Sequence, residues 1–219
     1  MRMQSLLKVA QPWSNRFGHC PICAGRSCFV PTEASDLIRN HAICVRCRSS
    51  SRNRHVAKCI LDAFADRGIR TLADFREHRN LKVYNTVSVG PIVQRMGQGE
   101  NIIVSEYFDD VDPGNRKGGV LCQDLERLTF PDSSFDLVIS EDVFEHVVDF
   151  RKGFAEVYRV LKPGGCHVFS IPFYFDRKTR PLFEMKNGKP LRRSSSIIST
   201  SWTESRSNSG GVSDAPAFG

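Results

Sequence analysis

The stretch from Leu128 to Pro172, LTFPDSSFDLVISEDVFEHVVDFRKGFAEVYRVLKPGGCHVFSIP, narrows the fold more than any other part of the chain. Phe135 to Ser140 is a short apolar run bounded by the turn formers Asp132, Ser133 and Ser134, as expected of a strand covered on both faces. A polar edge, Glu141 and Asp142, follows. Asp149 suits a helix N-cap, and Phe150, Phe154, Val157 and Leu161 then recur at helical spacing along one face. Pro163, Gly164 and Gly165 stop that helix, and His167 to Pro172 reads as a second strand. Two buried strands joined by a helix make half of a doubly wound, mostly parallel α/β sheet. Such sheets bind ligands outside the carboxyl ends of their strands, which singles out the turn holding Ser140, Glu141 and Asp142.

The preceding segment supplies the other half. Leu81 to Val87 and Ile102 to Ser105 suit parallel strands, separated by the tight turn Ser88-Val89-Gly90-Pro91 and a short helix containing Ile92, Val93 and Met96. A strand, turn, helix, strand and then an acid is the arrangement that holds an adenosine group, with Glu106 placed to accept hydrogen bonds from ribose hydroxyls. A third strand, Val120 to Gln123, delivers Asp124 and Leu125, an acceptor for an adenine amino group and an apolar surface for the base. Each acid alone reads equally well as a surface carboxylate. Their recurrence at successive strand ends favours a site.

Ahead of the sheet lie two CxxC pairs, Cys20 with Cys23 and Cys44 with Cys47, with twenty residues between them. Four sulfurs so spaced can converge on one ion at about 2.3 Å, which points to a structural zinc ribbon; disulfides or a redox dithiol are the competing readings. Cys28 and His41 lie near enough to substitute as ligands, though a small core residue and a loop histidine describe them more simply. Cys59, Cys122 and Cys166 sit in apolar segments and read as buried thiols. After Cys47 a serine cap leads into a helix with Val56, Ile60, Leu61 and Phe64 inward. Arg46, Arg48, Arg52 and Arg54 cluster at its start, where the helix dipole does not favour cations. That placement fits either an anionic partner or a solvated basic face.

Charge divides the chain the same way. Residues 1–80 hold 14 Lys/Arg and 6 Asp/Glu, for +8; residues 81–172 hold 9 and 14, for −5; residues 173–219 hold 8 and 4, for +4. A basic front and an acidic centre argue for separate units: a ribbon over 15–50, a helical linker over 51–80, a core over 81–175 and an irregular or disordered tail over 176–219. From Ser194 the tail has nine serines in 26 residues and no strand-like pattern, which fits either a flexible extension or the frame-shifted end of a longer protein. No apolar run approaches membrane-spanning length and the start lacks a secretory signal, so a cytoplasmic location is expected, with no membrane partner. Oligomeric state is not readable.

The segments VSVGP, SEYF, QDLERLTF, FDLVISEDVFEHV and RVLKPGG together resemble the class I S-adenosylmethionine-dependent methyltransferases, particularly the type 11 group, over residues 81–172. CPIC, CVRC and SSRNRH also resemble the zinc-ribbon leader of some bacterial members. The resemblance implies a Rossmann-like fold, here incomplete at its carboxyl end, with S-adenosylmethionine and structural zinc bound. By it, Ser88 and Gly90 lie against the methionine part, Glu106 holds the ribose, Asp124 and Leu125 contact adenine, and Ser140 and Glu141 floor the pocket. VSVGP departs from the family by keeping a single glycine in its turn. His146 is the candidate general base, with orientation of the adjoining helix as its structural alternative. Asp142, Glu145 and His146 also resemble a triplet that binds a divalent ion in some small-molecule O-methyltransferases. The expected acceptor is a small molecule or glycan-like compound. The alternatives are a nucleic-acid methyltransferase docking through the basic ribbon, and a non-catalytic zinc-binding interaction protein with a degenerate fold.

Overall fold

A computed structural model describes residues 16–31 and 42–172, together with the backbone of 183–186 and 189–192. The chain divides into two units, Met1–Thr179 and Arg180–Gly219. In the first, β1 (Phe17–Cys20), β2 (Gly25–Pro31) and β3 (Ala42–Cys44) form an antiparallel sheet in the order β1-β2-β3. Helix α1 (Ser51–Ala63) follows, capped by Ser50. Next come β4 (Val83–Asn85), α2 (Pro91–Met96), β5 (Ile102–Glu106), β6 (Arg116–Lys117), β7 (Val120–Cys122), β8 (Phe135–Glu141), α3 (Phe150–Val160) and β9 (Leu161–Ser170).

These later strands make one sheet in the order β6-β7-β5-β4-β8-β9, parallel throughout except for β6 against β7. The order reverses at β4, which pairs with β5 on one side and β8 on the other. This is the doubly wound, Rossmann-like architecture that the strand and helix pattern leads one to expect. The second unit contains a hairpin of β10 (Phe183–Lys186) and β11 (Lys189–Arg192), so the tail is not irregular throughout. The serine-rich segment from Ser194 lies outside the described residues.

Strand β8 is buried along its whole length, which explains why apolar Leu137, Val138 and Ile139 follow one another without alternation. Leu137 and Ile139 enter a core with Val56 and Ile60 of α1 and Ile92 and Met96 of α2. Val138 joins Tyr84, Leu125, Phe144, Val157 and Val160 on the other face. Burying each such side chain fully stabilises the fold by about 1.5–3 kcal/mol. Asp136 is the buried acid at the amino-terminal end of β8. Its carboxylate accepts hydrogen bonds from Lys82 N at 2.8 Å and Lys162 Nζ at 2.6 Å and pairs with Arg67. Burial opposes ionisation, but the Lys162 and Lys82 hydrogen bonds prevail and hold this carboxyl below its usual range. Asp136 thus ties β4 and β9 to β8 at the end of the sheet opposite the candidate site.

Several expectations need correction. The segment 51–80 is a layer of the fold, because α1 carries a stripe of Val56, Ala57 and Ile60 that the sheet covers. Cys59 lies off that stripe and is exposed, while Cys122 is buried and Cys166 half-buried. Phe150, the first residue of α3, is 41% exposed because it lies beyond the edge of the core. The helix ends at Val160, and Leu161 begins β9. Pro163 disfavours helical geometry at Lys162, so the chain leaves the helix early and Lys162–Gly165 becomes an irregularity in the β8–β9 register.

Candidate functional site

At the carboxyl end of β4, the point of strand reversal, the chain passes through Asn85 and Thr86 into the Ser88–Gly90 turn. Asn85 Nδ2 and Thr86 Oγ1 are buried without hydrogen-bond partners among the described residues. Each such orphan costs about 1–3 kcal/mol, so this edge is a place where a polar ligand gains by binding. Ser88 donates to Glu106 Oε1 from its backbone N at 2.8 Å and from Oγ at 2.9 Å. The acid on β5 thereby anchors the turn after β4. Gly90 has φ +120°, a conformation closed to most side chains, and a Cβ built there meets nothing within 4 Å. The backbone of this turn therefore faces open space at the start of α2, as close approach of a ligand requires.

The turn after β8 splits between the two faces of the sheet. Ser140, fully buried, shares a 2.8 Å hydrogen bond with His167 Nε2. His167 packs among Phe144, Phe154 and Phe169, and burial brings its pKa down to about 4. Sequence reasoning missed this histidine, whose ring reaches Ser140 through the parallel register in which Val138 opposes His167. Glu141 lies on the other face. Burial pushes its pKa up, against the opposing effects of an Asn53 hydrogen bond and the Arg52 charge. Asp142 follows with φ +53°, left-handed backbone that costs a non-glycine residue about 1–2 kcal/mol. His146 is exposed, at the end of the one-turn helix Phe144–His146.

On the far side of β4, Asp124 accepts from Glu126 N at 2.9 Å, which sets the turn after β7. Leu125 is 6% exposed and belongs to the core around Tyr84, so its side chain is committed inward. Asp124 instead faces a cleft of about 380 Å³ with Tyr107, Phe108, the aspartates 109, 110 and 112, and Arg127. The structure therefore brings Ser88, Gly90 and Glu106 to one turn and sets Asp124 beside a neighbouring cleft. Ser140 and Glu141 fall on opposite faces.

The four cysteines of the ribbon converge. Their sulfurs all lie within 4.8 Å of one another, with Cys20 and Cys47 at 3.7 Å and Cys23 and Cys44 at 3.9 Å. Tetrahedral bonds of about 2.3 Å put sulfurs about 3.8 Å apart, so the cluster has the dimensions of a structural zinc site. Ser27 Oγ lies 3.1 Å from Cys44 Sγ, and Ser49 Oγ 3.1 Å from Cys47 Sγ. Burial opposes ionisation of Cys44, but the Ser27 hydroxyl and the backbone N–H groups of Cys47 and Arg46 prevail and bring the thiol down to about 6. No other group of His, Cys, Asp and Glu close enough to share an ion occurs among the described residues, so Asp142, Glu145 and His146 do not form the metal triplet. His41 lies outside the described residues. Cys28 is not part of the cluster.

The arginine cluster divides as well. Arg52 pairs with Asp142, and Arg54 donates to Ala42 O at 3.1 Å and Ser49 O at 2.6 Å while covering the Phe29 ring. Their anionic and carbonyl partners are internal. Arg46 and Arg48 remain exposed on the ribbon.

A doubly wound sheet with an acid at the end of β5 and an open turn at its point of strand reversal defines a Rossmann-like α/β domain. Residues 104–169 match the family described as a methyltransferase domain. The dimethylglycine N-methyltransferase of Parasynechococcus marenigrum is 49% identical over 52 residues, 24% of this chain and 19% of that protein. The ubiquinone/menaquinone biosynthesis C-methyltransferase UbiE of Psychromonas ingrahamii is 46% identical over 52 residues, 22% of this chain and 21% of that protein. The matched stretch thus spans about a fifth of the length of these curated relatives. Among solved structures, an S-adenosylmethionine-dependent methyltransferase from Mesorhizobium loti is 21% identical, with 42% of this chain and 46% of that chain covered and a TM-score of 0.28. No helix among the described residues is long and apolar enough to cross a membrane.

Proposed function

We propose that the crevice at the carboxyl ends of β4, β5 and β8 binds S-adenosylmethionine, that the chain methylates a small-molecule acceptor, and that the four cysteines hold structural zinc. The observation that carries this reading is the Glu106–Ser88 link beside the open, positive-φ Gly90. Glu106 Oε1 fixes the turn, and the remaining carboxylate oxygen is the acceptor for ribose hydroxyls. Gly90 lets the backbone meet the methionine part, and Asp124 borders the cleft that takes adenine. Bound there, the cofactor supplies an electrophilic methyl group. The protein's task is alignment, which lowers a transfer barrier by several kcal/mol. Where the acceptor carries a proton, exposed His146 beside the β8 turn is the candidate base. The relatives above are named for dimethylglycine and quinone biosynthesis, which supports a small acceptor.

Glu106→Ala tests the cofactor assignment. Loss of a charge-assisted hydrogen bond costs about 1.5–3 kcal/mol, so S-adenosylmethionine affinity should fall roughly 10- to 100-fold by calorimetry. Unchanged affinity would overturn the role of Glu106.

A second reading has one observation in its favour. Phe17 is 61% exposed on the ribbon, which also exposes Arg26, Arg46 and Arg48, a pairing of ring and cations that suits single-stranded nucleic acid. RNA binding that weakens steeply with salt would favour it; RNA binding absent at low salt would remove it.

A further inference from the structure

The floor of the crevice is held from outside the sheet. Asn53 Nδ2 donates to Glu141 Oε2 at 2.7 Å, and the Arg52 guanidinium pairs with Asp142 while its Nε lies 3.9 Å from Glu141 Oε2. Both residues belong to the first turn of α1, nearly ninety positions earlier in the chain. Asp142 needs such support, since its backbone is left-handed. Strand β9 adds further restraints: Asp142 N donates to Ser170 O at 2.9 Å, and Ser170 Oγ donates to Asp142 Oδ1 at 3.0 Å.

Asn53 has two tasks at once. Its Oδ1 accepts from Ser50 N at 3.1 Å and Ser50 Oγ at 2.9 Å, which closes the capping box of α1. Its Nδ2 is thereby left to donate to the buried Glu141 carboxylate. A short amide meets both demands. An aspartate would close the box and place a second negative charge against Glu141. The same turn is fastened to the ribbon, because Arg54 holds Ser49 O and Ser49 Oγ touches Cys47 Sγ.

We propose that Asn53 and Arg52 are positioning residues of the transfer site, fixing Glu141 and Asp142 so that cofactor affinity depends on the first turn of α1. This rests on the reading that the crevice takes S-adenosylmethionine.

The experiment is a calorimetric titration of the full metal-loaded chain with S-adenosylmethionine, in the wild type, in Asn53→Asp and in Asn53→Asp combined with Glu141→Gln. Metal content and amide exchange at residues 141 and 142 are followed in parallel. Asn53→Asp should keep its metal, weaken binding at least about tenfold and expose the 141–142 amides to exchange. The double variant puts the donor on the opposite side of the same contact and should restore exchange protection at 141–142. Wild-type affinity and protection in Asn53→Asp, or a loss of protection that the folded double variant leaves unrepaired, overturns the proposal. If the wild type binds no cofactor, the functional reading fails, and exchange at 141–142 alone then decides the positioning role. If Asn53→Asp fails to fold, Arg52→Ala against Arg52→Lys replaces it. The alanine variant should lose affinity and the lysine variant should retain most of it; equal behaviour of the two overturns the role of Arg52.

Discussion

Cys44→Ser is expected to abolish metal binding by the ribbon and to lower the melting temperature of the chain by about 10 °C or more. Structural zinc contributes on the order of 10–16 kcal/mol of apparent binding free energy in small domains, and a three-thiolate remnant loses most of it. Among the described residues of the ribbon, Cys20, Ile22 and Cys44 are the buried apolar side chains, so little there replaces the metal. Those residues share one core with Ile60 of α1 and Ile139 of β8, so the damage spreads into the sheet. Each kcal/mol shifts the transition of a chain this size by about 2–4 °C, so a loss of several kcal/mol gives the expected change. Metal analysis and calorimetric melting check it; a variant that keeps its metal and its melting temperature contradicts the ribbon's structural role.

The second large effect lies in mild acid and belongs to His167. An unfolded histidine titrates near 6.5, whereas burial lowers His167 to about 4 in the folded chain. As the pH falls, the unfolded state takes up this proton first. The stability that follows from the difference is therefore fully present above pH 6.5 and is lost as the pH falls through about 4. The difference amounts to about 2–3 kcal/mol between neutral pH and pH 4.5. Carboxylates such as Asp136 weaken over an overlapping range, so the contrast between wild type and His167→Gln isolates the histidine. Urea midpoints at pH 7 and 4.5 should converge for the two proteins at the lower pH relative to their separation at pH 7. A gap that stays constant refutes the buried, neutral histidine.

How much of this was legible depended on whether the signal was local. The β8–α3–β9 unit could be read because each element carries its own pattern: a short, mostly apolar run in Phe135–Ser140, an N-cap at Asp149 and a stop at Pro163. Four cysteines in two pairs, and an acid at the end of β5, were legible for the same reason. Phe150 misled because helical spacing places a residue on a face without saying where the covered surface ends. The Ser140–His167 bond follows from strand register, which sequence spacing does not specify. The Asn53–Glu141 contact depends on how α1 docks. Its trace in the sequence was the misfit of arginines at a helix start, which Arg52 explains by pairing with Asp142.

The central claim is tested most directly by titrating the folded, metal-loaded chain with S-adenosylmethionine in a calorimeter. The account predicts one site per chain with a dissociation constant of about micromolar or tighter, competed by the demethylated product S-adenosylhomocysteine. A folded chain that keeps its metal and takes up neither compound would contradict it.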